Sequence, residues 1–126
     1  STGKIKVHKF WMALDAGIIV QPDNVKAQME GGIMMGISSA LKEQVTIENG
    51  RIQQSNFNDY QILRMEDCPD SIETALIESS ENPVGIGETA TPMAAGAIAN
   101  AFLKLTGKRL RHIPFTPERV LEALRD

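Results

Sequence analysis

The chain has 126 residues, of which 42% are hydrophobic and 23% are charged, and its formal net charge is −3 at pH 7, as is usual for a single globular domain. This balance argues against an electrostatic nucleic-acid surface, since the only dense basic cluster is the short run from Lys108 to Arg111. No apolar run approaches the ~18 to 20 residues that cross a bilayer, so no membrane segment is predicted.

The first predicted element is a strand. From Lys4 to Leu14 the sequence KIKVHKFWMAL alternates apolar and polar residues and then turns continuously apolar, which is typical of a strand that becomes more buried along its length. Only a polar tripeptide precedes it. We therefore expect residues 1–126 to form a single domain that is a fragment of a longer protein.

A long helix is predicted next, from about Pro22 to Lys42. Glycine inside a helix is less favourable than alanine by roughly 1 kcal/mol. Because Gly31, Gly32 and Gly36 all fall inside this helix, we expect another backbone or a ligand to approach it closely. The small and apolar residues that recur every three or four positions and define one buried face are Val25, Met29, Ile33, Gly36, Ile37 and Ala40.

A β-hairpin follows the helix. Val45–Ile47 and Arg51–Gln53 have the composition of short strands, and Asn49-Gly50 between them is the strongest short signal for a hairpin turn. The next stretch, Gln54–Pro69, has no clear period, and a long irregular segment inside a compact domain is a candidate site loop. The residues of this loop that either stabilise it or line a passage to a site are Asn56, Phe57, Asp59 and Tyr60.

The C-terminal half predicts a strand and two helices. Ser71–Ser80 has a strand pattern, although a helix fits nearly as well. A second long helix is expected from Pro92 to Leu105, with Thr91 as its N-cap and Gly107 just beyond its end, and a short last helix begins at Pro117. Together the elements predict an α+β fold, in which a mixed or antiparallel sheet with a hairpin is packed by two long helices.

Glu88 is the first candidate functional residue. The stretch NPVGIGETATP places it between a glycine turn and the start of the second long helix. An acid there interacts favourably with the unpaired amides and the dipole of the helix, typically by about 0.3 to 1 kcal/mol, without any catalytic role. Gly85 and Gly87, however, carry no side chains, so a bulky group can approach the backbone beside Glu88, as a general base requires. The residues alone leave both interpretations open.

Gln28 in the first long helix admits two similar interpretations. A glutamine in the middle of a helix is commonly a solvated residue of good helix propensity. Its amide also offers two donors and an acceptor, which suits an oxygen-rich ligand without adding charge. No metal site is predicted, because Cys68 is the single cysteine and the spacing of His8 and His112 matches no ligand set.

Three segments, in order along the chain, carry a resemblance to a known family. They are LDAGIIVQPDNVKAQMEGGIMMGISSAL, VTIENGRIQQSNFNDYQILRMEDCP and NPVGIGETATPMAAGAIANAFLKLTGKRLRHIP, which together span almost the whole sequence. In these segments the chain resembles the C-terminal part of the molybdopterin-binding subunit of the xanthine dehydrogenase family, most closely the branch of isoquinoline 1-oxidoreductase beta subunits. The resemblance implies the C-terminal subdomain of a molybdenum cofactor-binding domain.

The resemblance also assigns roles to individual residues. Glu88 corresponds to the active-site glutamate of the family, Gln28 to a glutamine that hydrogen-bonds the molybdenum centre, and Gly87 to a position where the cofactor approaches the backbone. The implied activity is the hydroxylation of an N-heterocycle or an aldehyde with oxygen from water, the glutamate acting as general base. Electrons would leave through an iron-sulfur partner subunit. The bacterial cytoplasm and the periplasm both remain open, since a targeting region would lie upstream of this chain.

Three positions depart from the family pattern. Ala16 stands where members often carry cysteine, Gln21 where asparagine often precedes the proline, and Thr89-Ala90 where two prolines or proline-glycine commonly follow the glutamate. None of these differences removes the base. They leave the substrate preference open, because residues just after the glutamate shape the pocket.

Family members are much longer, and most of their contacts to molybdopterin come from earlier segments. A pterin cofactor must be enclosed from several sides, so we expect residues 1–126 alone to bind no molybdopterin and to have no hydroxylase activity. The alternative is a non-catalytic α+β binding or assembly module, in which Glu88 is only a helix-start acid and the glycines serve packing alone.

Overall fold

The computed structural model describes residues 2–125, which adopt an α+β fold, as predicted. No helix among these residues is long and apolar enough to cross a membrane. In chain order the elements are strand β1 (Lys9–Leu14), helix α1 (Pro22–Leu41), strands β2 (Ile47–Glu48) and β3 (Arg51–Ile52), a 3-10 helix (Met65–Asp67), strand β4 (Ser71–Leu76), and helices α2 (Met93–Thr106) and α3 (Pro117–Arg125).

The first sheet is a parallel pair formed by β1 and β4, in register from Lys9 opposite Ser71 to Leu14 opposite Leu76. Regular pairing begins at Lys9 rather than Lys4 because the partner strand β4 begins only at Ser71. At this end of the ladder the carbonyl of His8 accepts hydrogen bonds from the amides of both Asp70 and Ser71. The open interpretation of Ser71–Ser80 is thus resolved in favour of a strand, which ends at Leu76.

The predicted hairpin is present and forms a separate antiparallel sheet of β2 and β3. Its turn residues, Asn49 and Gly50, have φ values of 50° and 76°. A two-residue turn of type I′ needs positive φ at both positions, which asparagine tolerates and glycine adopts freely. The mixed or antiparallel sheet expected from the sequence is thus present as two small sheets, of which one is parallel and the other antiparallel.

Helix α1 forms the centre of the core, and its buried face is the one predicted. Met29, Ile33, Ile37 and Ala40 have no exposed surface. They belong to a cluster that also contains buried residues of β1, α2, α3 and the preceding loop, namely Phe10, Leu14, Ala94, Ile98, Phe102, Phe115 and Val120. Helix α1 packs directly against both α2 and β4. Removal of this apolar surface from water is the main stabilising contribution to such a fold.

Two of the three helix glycines lie where another backbone approaches, as expected. A Cβ atom added at Gly32 would be 3.0 Å from the Cβ of Ala90. At Gly36 it would be 2.7 Å from the Cβ of Ala94 and closer still to the carbonyl oxygen of Thr91. Gly31 instead faces open space. The lower helix propensity of Gly32 and Gly36 is therefore offset by close packing of α1 against the start of α2.

The ends of α2 agree only in part with the prediction. Its C-terminus is as expected, since Gly107 has φ 74° and its amide donates to the carbonyl of Leu103 at 2.8 Å. The prediction of Thr91 as N-cap was wrong, because the helix begins at Met93 and is preceded by Pro92 without a side-chain cap. The backbone of Thr91 is held against Gly36 instead, so that tertiary packing moves the start of the helix.

A buried carboxylate joins three distant parts of the chain. Asp67, whose side chain is 8% exposed, contacts Lys42 at the end of α1 and Lys4, whose Nζ lies 3.1 Å from Oδ1. Lys6 adds two hydrogen bonds of 2.9 Å to the carbonyls of Glu66 and Cys68. These contacts attach the N-terminal segment and the end of α1 to the 3-10 helix.

Substitution of the helix glycines tests this packing. Gly36→Ala is expected to lower the free energy of unfolding by about 1–3 kcal/mol, because the new methyl group collides with Thr91 and Ala94. The matched variant Gly31→Ala should raise it by about 0.5–1 kcal/mol, since it gains helix propensity in open space. Urea unfolding measures both values, and equal effects of the two substitutions would contradict the packing described.

The Asp67 cluster predicts a specific loss of stability in acid. Hydrogen bonds from Lys42 and then Lys4 lower the pKa of Asp67 from 3.8 to about 2. Because the folded-state pKa is the lower one, the ionised carboxylate stabilises the fold above pH 3.8, and this contribution is lost as the pH falls through about 2.

Asp67→Asn should therefore reduce the free energy of unfolding at neutral pH by about 1.5–3 kcal/mol, as for other hydrogen bonds to charged groups. It should also flatten the pH dependence of urea unfolding in acid. Asp70→Asn, which removes an exposed partner of His8, is the control and should have a much smaller effect. An Asp67→Asn variant as stable as the parent at every pH would show that the cluster does not stabilise the fold.

Candidate functional site

An open cleft of about 450 Å³ lies between the turn after β1, the first turns of α1 and the segment that leads to α2. Its walls come from residues 16–21, 24–28 and 83–87. Main-chain hydrogen bonds hold the first and last of these segments together: the amide of Ile18 donates to the carbonyl of Glu81 at 3.0 Å, and that of Val84 to the carbonyl of Ala16 at 3.1 Å. Main-chain hydrogen bonds thus join two walls of the cleft.

Gln28 connects the helix wall of the cleft to the opposite segment. Its side-chain Nε2 donates a hydrogen bond of 2.5 Å to the carbonyl oxygen of Gly87, and both residues line the cleft. A Cβ atom added at Gly87 would meet no atom within 4 Å, so a ligand can approach the backbone there. Two of the three predicted site residues are therefore in direct contact.

Glu88, the third predicted residue, follows Gly87 directly but is not among the residues that line the cleft. Its side chain is exposed and has no hydrogen-bond or ion-pair partner within residues 2–125. Its main-chain carbonyl accepts a hydrogen bond of 3.2 Å from the amide of Thr91. Ala90, which is fully buried, rests against Gly32. The backbone around Glu88 is thus fixed while its carboxylate remains available.

Two further amide side chains, which the sequence analysis did not identify as ligand-binding residues, line the cleft. Gln21 and Asn24 precede Gln28 at positions that fall on one side of the helix, and this spacing was the available signal. Neither side chain has a hydrogen-bond partner in the described part of the chain. No charged side chain lines the cleft in residues 2–125, so its polar groups are neutral amides and main-chain atoms. Such a lining suits an uncharged or oxygen-rich ligand that needs several hydrogen bonds.

The irregular loop does not contribute to this cleft within the described residues. Asp59 accepts hydrogen bonds from the amides of Asn56 and Ser55 at 2.9 Å, and these bonds, with that from Asn56 the largest cause, lower the pKa of its carboxyl. Tyr60 donates to Glu43 at 2.9 Å, which raises the pKa of the phenol. Phe57 is 63% exposed. These contacts favour the interpretation that Asp59 and Tyr60 stabilise the loop.

The histidine and cysteine side chains of the described residues do not form a metal site. Within residues 2–125 no group of three or more His, Cys, Asp or Glu side chains is placed to hold a metal ion. His8 lies 3.0 Å from Asp70 through its Nδ1 atom, and this hydrogen bond lowers the pKa of the Asp70 carboxyl. The thiol of Cys68 lies 3.4 Å from the carbonyl oxygen of Arg64 and donates to it.

A family model described as a molybdopterin cofactor-binding domain matches residues 1–69. The chain is 44% identical over 117 residues to the isoquinoline 1-oxidoreductase subunit beta of Brevundimonas diminuta, an alignment that covers 93% of this chain and 15% of that protein. It is 40% identical to a membrane-bound aldehyde dehydrogenase (pyrroloquinoline-quinone) of Gluconacetobacter polyoxogenes, with coverage of 100% and 16%. The chain thus spans about one sixth of the length of these relatives.

The fold is similar to part of a larger solved enzyme. Superposition on the crystal structure of quinoline 2-oxidoreductase from Pseudomonas putida 86 gives a TM-score of 0.89 with 28% sequence identity. The match covers all of this chain and 17% of the other. The similarity therefore extends over the Gln28 cleft as well as the core.

Removal of the Gln28 amide tests whether it holds the segment that carries Glu88. Gln28→Ala should increase amide hydrogen exchange in residues 84–90 by about 3- to 10-fold, the effect of losing one hydrogen bond of about 0.5–1.5 kcal/mol. Asn24→Ala is the matched control, because Asn24 lines the same cleft without bonding to that segment. Equal exchange in the parent and the Gln28→Ala variant would contradict a holding role.

Proposed function

The chain belongs to the molybdopterin cofactor-binding domain family of xanthine dehydrogenase-type subunits, and we propose that it forms one wall of a molybdenum hydroxylase active site with Glu88 as general base. The observation that carries this proposal is the hydrogen bond from Gln28 to the Gly87 carbonyl. It joins two residues that are far apart in sequence at the position next to Glu88. An amide and an accessible backbone thereby meet one residue before an exposed carboxylate.

The residues present suit the molybdenum cofactor of this family. Gly87 leaves its backbone open to a large group, and Gln28 lies beside it with an amide whose oxygen has no partner in residues 2–125. Gln21 and Asn24 supply further uncharged donors along the same helix. In this proposal Gln28 and Gly87 contact the cofactor, and the remaining enclosure comes from other parts of a longer subunit.

The cofactor, when bound, supplies the two-electron oxidation and the activation of a water-derived oxygen. Glu88 accepts the proton that is released in this step, which requires its carboxylate to lie within hydrogen-bond reach of the proton donor. The environment of Glu88 supports this role more than that of a helix-start acid. No side chain caps α2, and the Glu88 carboxylate bonds to none of the described amides.

The uncharged lining of the cleft favours neutral substrates. Relatives are named for isoquinoline and for aldehydes, and a solved structure with a similar fold is a quinoline oxidoreductase. An N-heterocycle or an aldehyde needs no charged partner for recognition, and we include both in the proposed substrate class. The electrons would pass to an iron-sulfur partner subunit. Residues 1–126 would act as one domain of the longer subunit and be inactive alone.

Exchange of the carboxylate for an amide tests the general base. In the full-length subunit assembled with its partner, Glu88→Gln should lower kcat by about 10²- to 10⁴-fold, because the proton acceptor is lost. Molybdenum content should be unchanged, since the substitution preserves size. Glu81→Gln, which changes an exposed acid earlier on the same segment, is the control and should retain full turnover. Unchanged turnover in Glu88→Gln would exclude Glu88 as the base.

A further inference from the structure

A second and larger cleft, of about 820 Å³, lies on a different part of the molecule from the Gln28 cleft. One side of it is lined by every residue from Gly3 to Trp11, and the other by residues of α2 and α3. The two clefts share no lining residue. The proposed active site therefore does not account for this surface.

The cleft follows the edge of an extended segment. Successive side chains of a strand point to opposite faces, so a cleft that touches all residues from Gly3 to Trp11 runs along the edge between those faces. Within residues 2–125, β1 pairs only with β4, so that its other edge is free. The amides of Ile5 and Val7 likewise have no partner in this part of the chain. Unpaired strand edges of this kind bind another strand.

The opposite wall has space for the side chains of such a strand. Ala97 and Ala101 of α2 line the cleft one helical turn apart, and their short side chains leave room above the helix. Two large apolar side chains that line the cleft are exposed, Trp11 at 64% and Leu105 at 85%. Exposed apolar surface beside a free strand edge indicates a site that another polypeptide covers.

The charges of the cleft constrain the occupant. The ionisable residues that line it are His8 and the three lysines Lys4, Lys6 and Lys9. Lys4 and Lys6 already bond to the 3-10 helix, whereas the ammonium of Lys9 has no partner within the described residues. A second copy of this chain, paired edge to edge, would bring the same lysines opposite one another, which destabilises strand pairing. An acidic or neutral strand fits better.

We propose that a β-strand from the part of the molybdenum-binding subunit outside residues 1–126 pairs with the free edge of the Ile5–Trp11 segment. Its apolar side chains would lie on Ala97 and Ala101, and an acidic side chain would lie beside Lys9. The length of the relatives supports this occupant, since the aligned region is only 15% to 16% of their polypeptide. A two-stranded parallel sheet would thereby become three-stranded, and three strands are more stable than an isolated pair.

Site-specific photo-crosslinking in the full-length subunit tests the occupant. Benzoylphenylalanine replaces Ala101, the assembled protein is irradiated, and linked peptides are identified by mass spectrometry. The expected result is a link to a peptide of the same polypeptide outside residues 1–126. The same probe at Asn100, which is on α2 but outside the cleft lining, should not link to that peptide. A link to a second copy or to another chain, links only within residues 1–126, or no link at all would overturn the proposal.

Hydrogen exchange provides a second test that needs no substituted residue. In the full-length subunit the amides of Ile5 and Val7 should exchange at least about tenfold more slowly than their intrinsic rates, because the added strand accepts their hydrogen bonds. Unprotected amides at both positions would overturn the proposal. Neither experiment measures turnover, so a negative result would leave the role proposed for Glu88 unaffected.

Discussion

The close approach of helix α1 to the chain that precedes α2 is the constraint on which the rest of the structure depends. Gln28, Gly32 and Gly36 follow one another at intervals of one helical turn and present an amide and two bare backbones to residues 87–94. The amide binds a carbonyl, and each glycine admits a neighbour that a larger residue would exclude. Three local features of one helix thereby determine the path of a distant segment.

The contacts that fix the backbone around Glu88 leave its side chain unbound. The segment around Glu88 is held through the Gly87 carbonyl, the Ala90 methyl group and the Thr91 backbone, none of which involves the carboxylate. A proton acceptor works best when its position is fixed and its oxygens are not already occupied. The same helix carries the apolar core on Met29, Ile33 and Ile37. Core packing and placement of the proposed base therefore depend on the same element.

Local patterns in the sequence predicted those features that local physics determines. The apolar period identified the buried face of α1, Asn49-Gly50 identified the hairpin, and Gly107 identified the end of α2. Features that depend on distant contacts were not predictable in this way. The displaced start of α2 depends on Gly36, and the burial of Asp67 depends on two lysines far away in the sequence.

The candidate site could be predicted only in part from the sequence. From residue patterns alone, Gln28 was open to interpretation as a solvated helix residue and Glu88 as a helix-start acid, and only the family resemblance linked them. The contact of Gln28 with Gly87 is a tertiary hydrogen bond that no spacing rule predicts. Asn24 went unnoticed because an isolated asparagine near a helix start is commonplace, and its significance comes from a cleft formed by remote segments.

The parallel pairing of β1 with β4 also governs when the domain can form during synthesis. The ribosome releases β1 and α1 well before the Ser71–Leu76 partner exists, and α2 follows later still. Until then the apolar face of α1 lacks its contacts with β4 and α2, and closing so long a loop is entropically unfavourable. Apolar surface of this domain therefore stays exposed until α2 has been synthesised, which favours aggregation of the nascent chain.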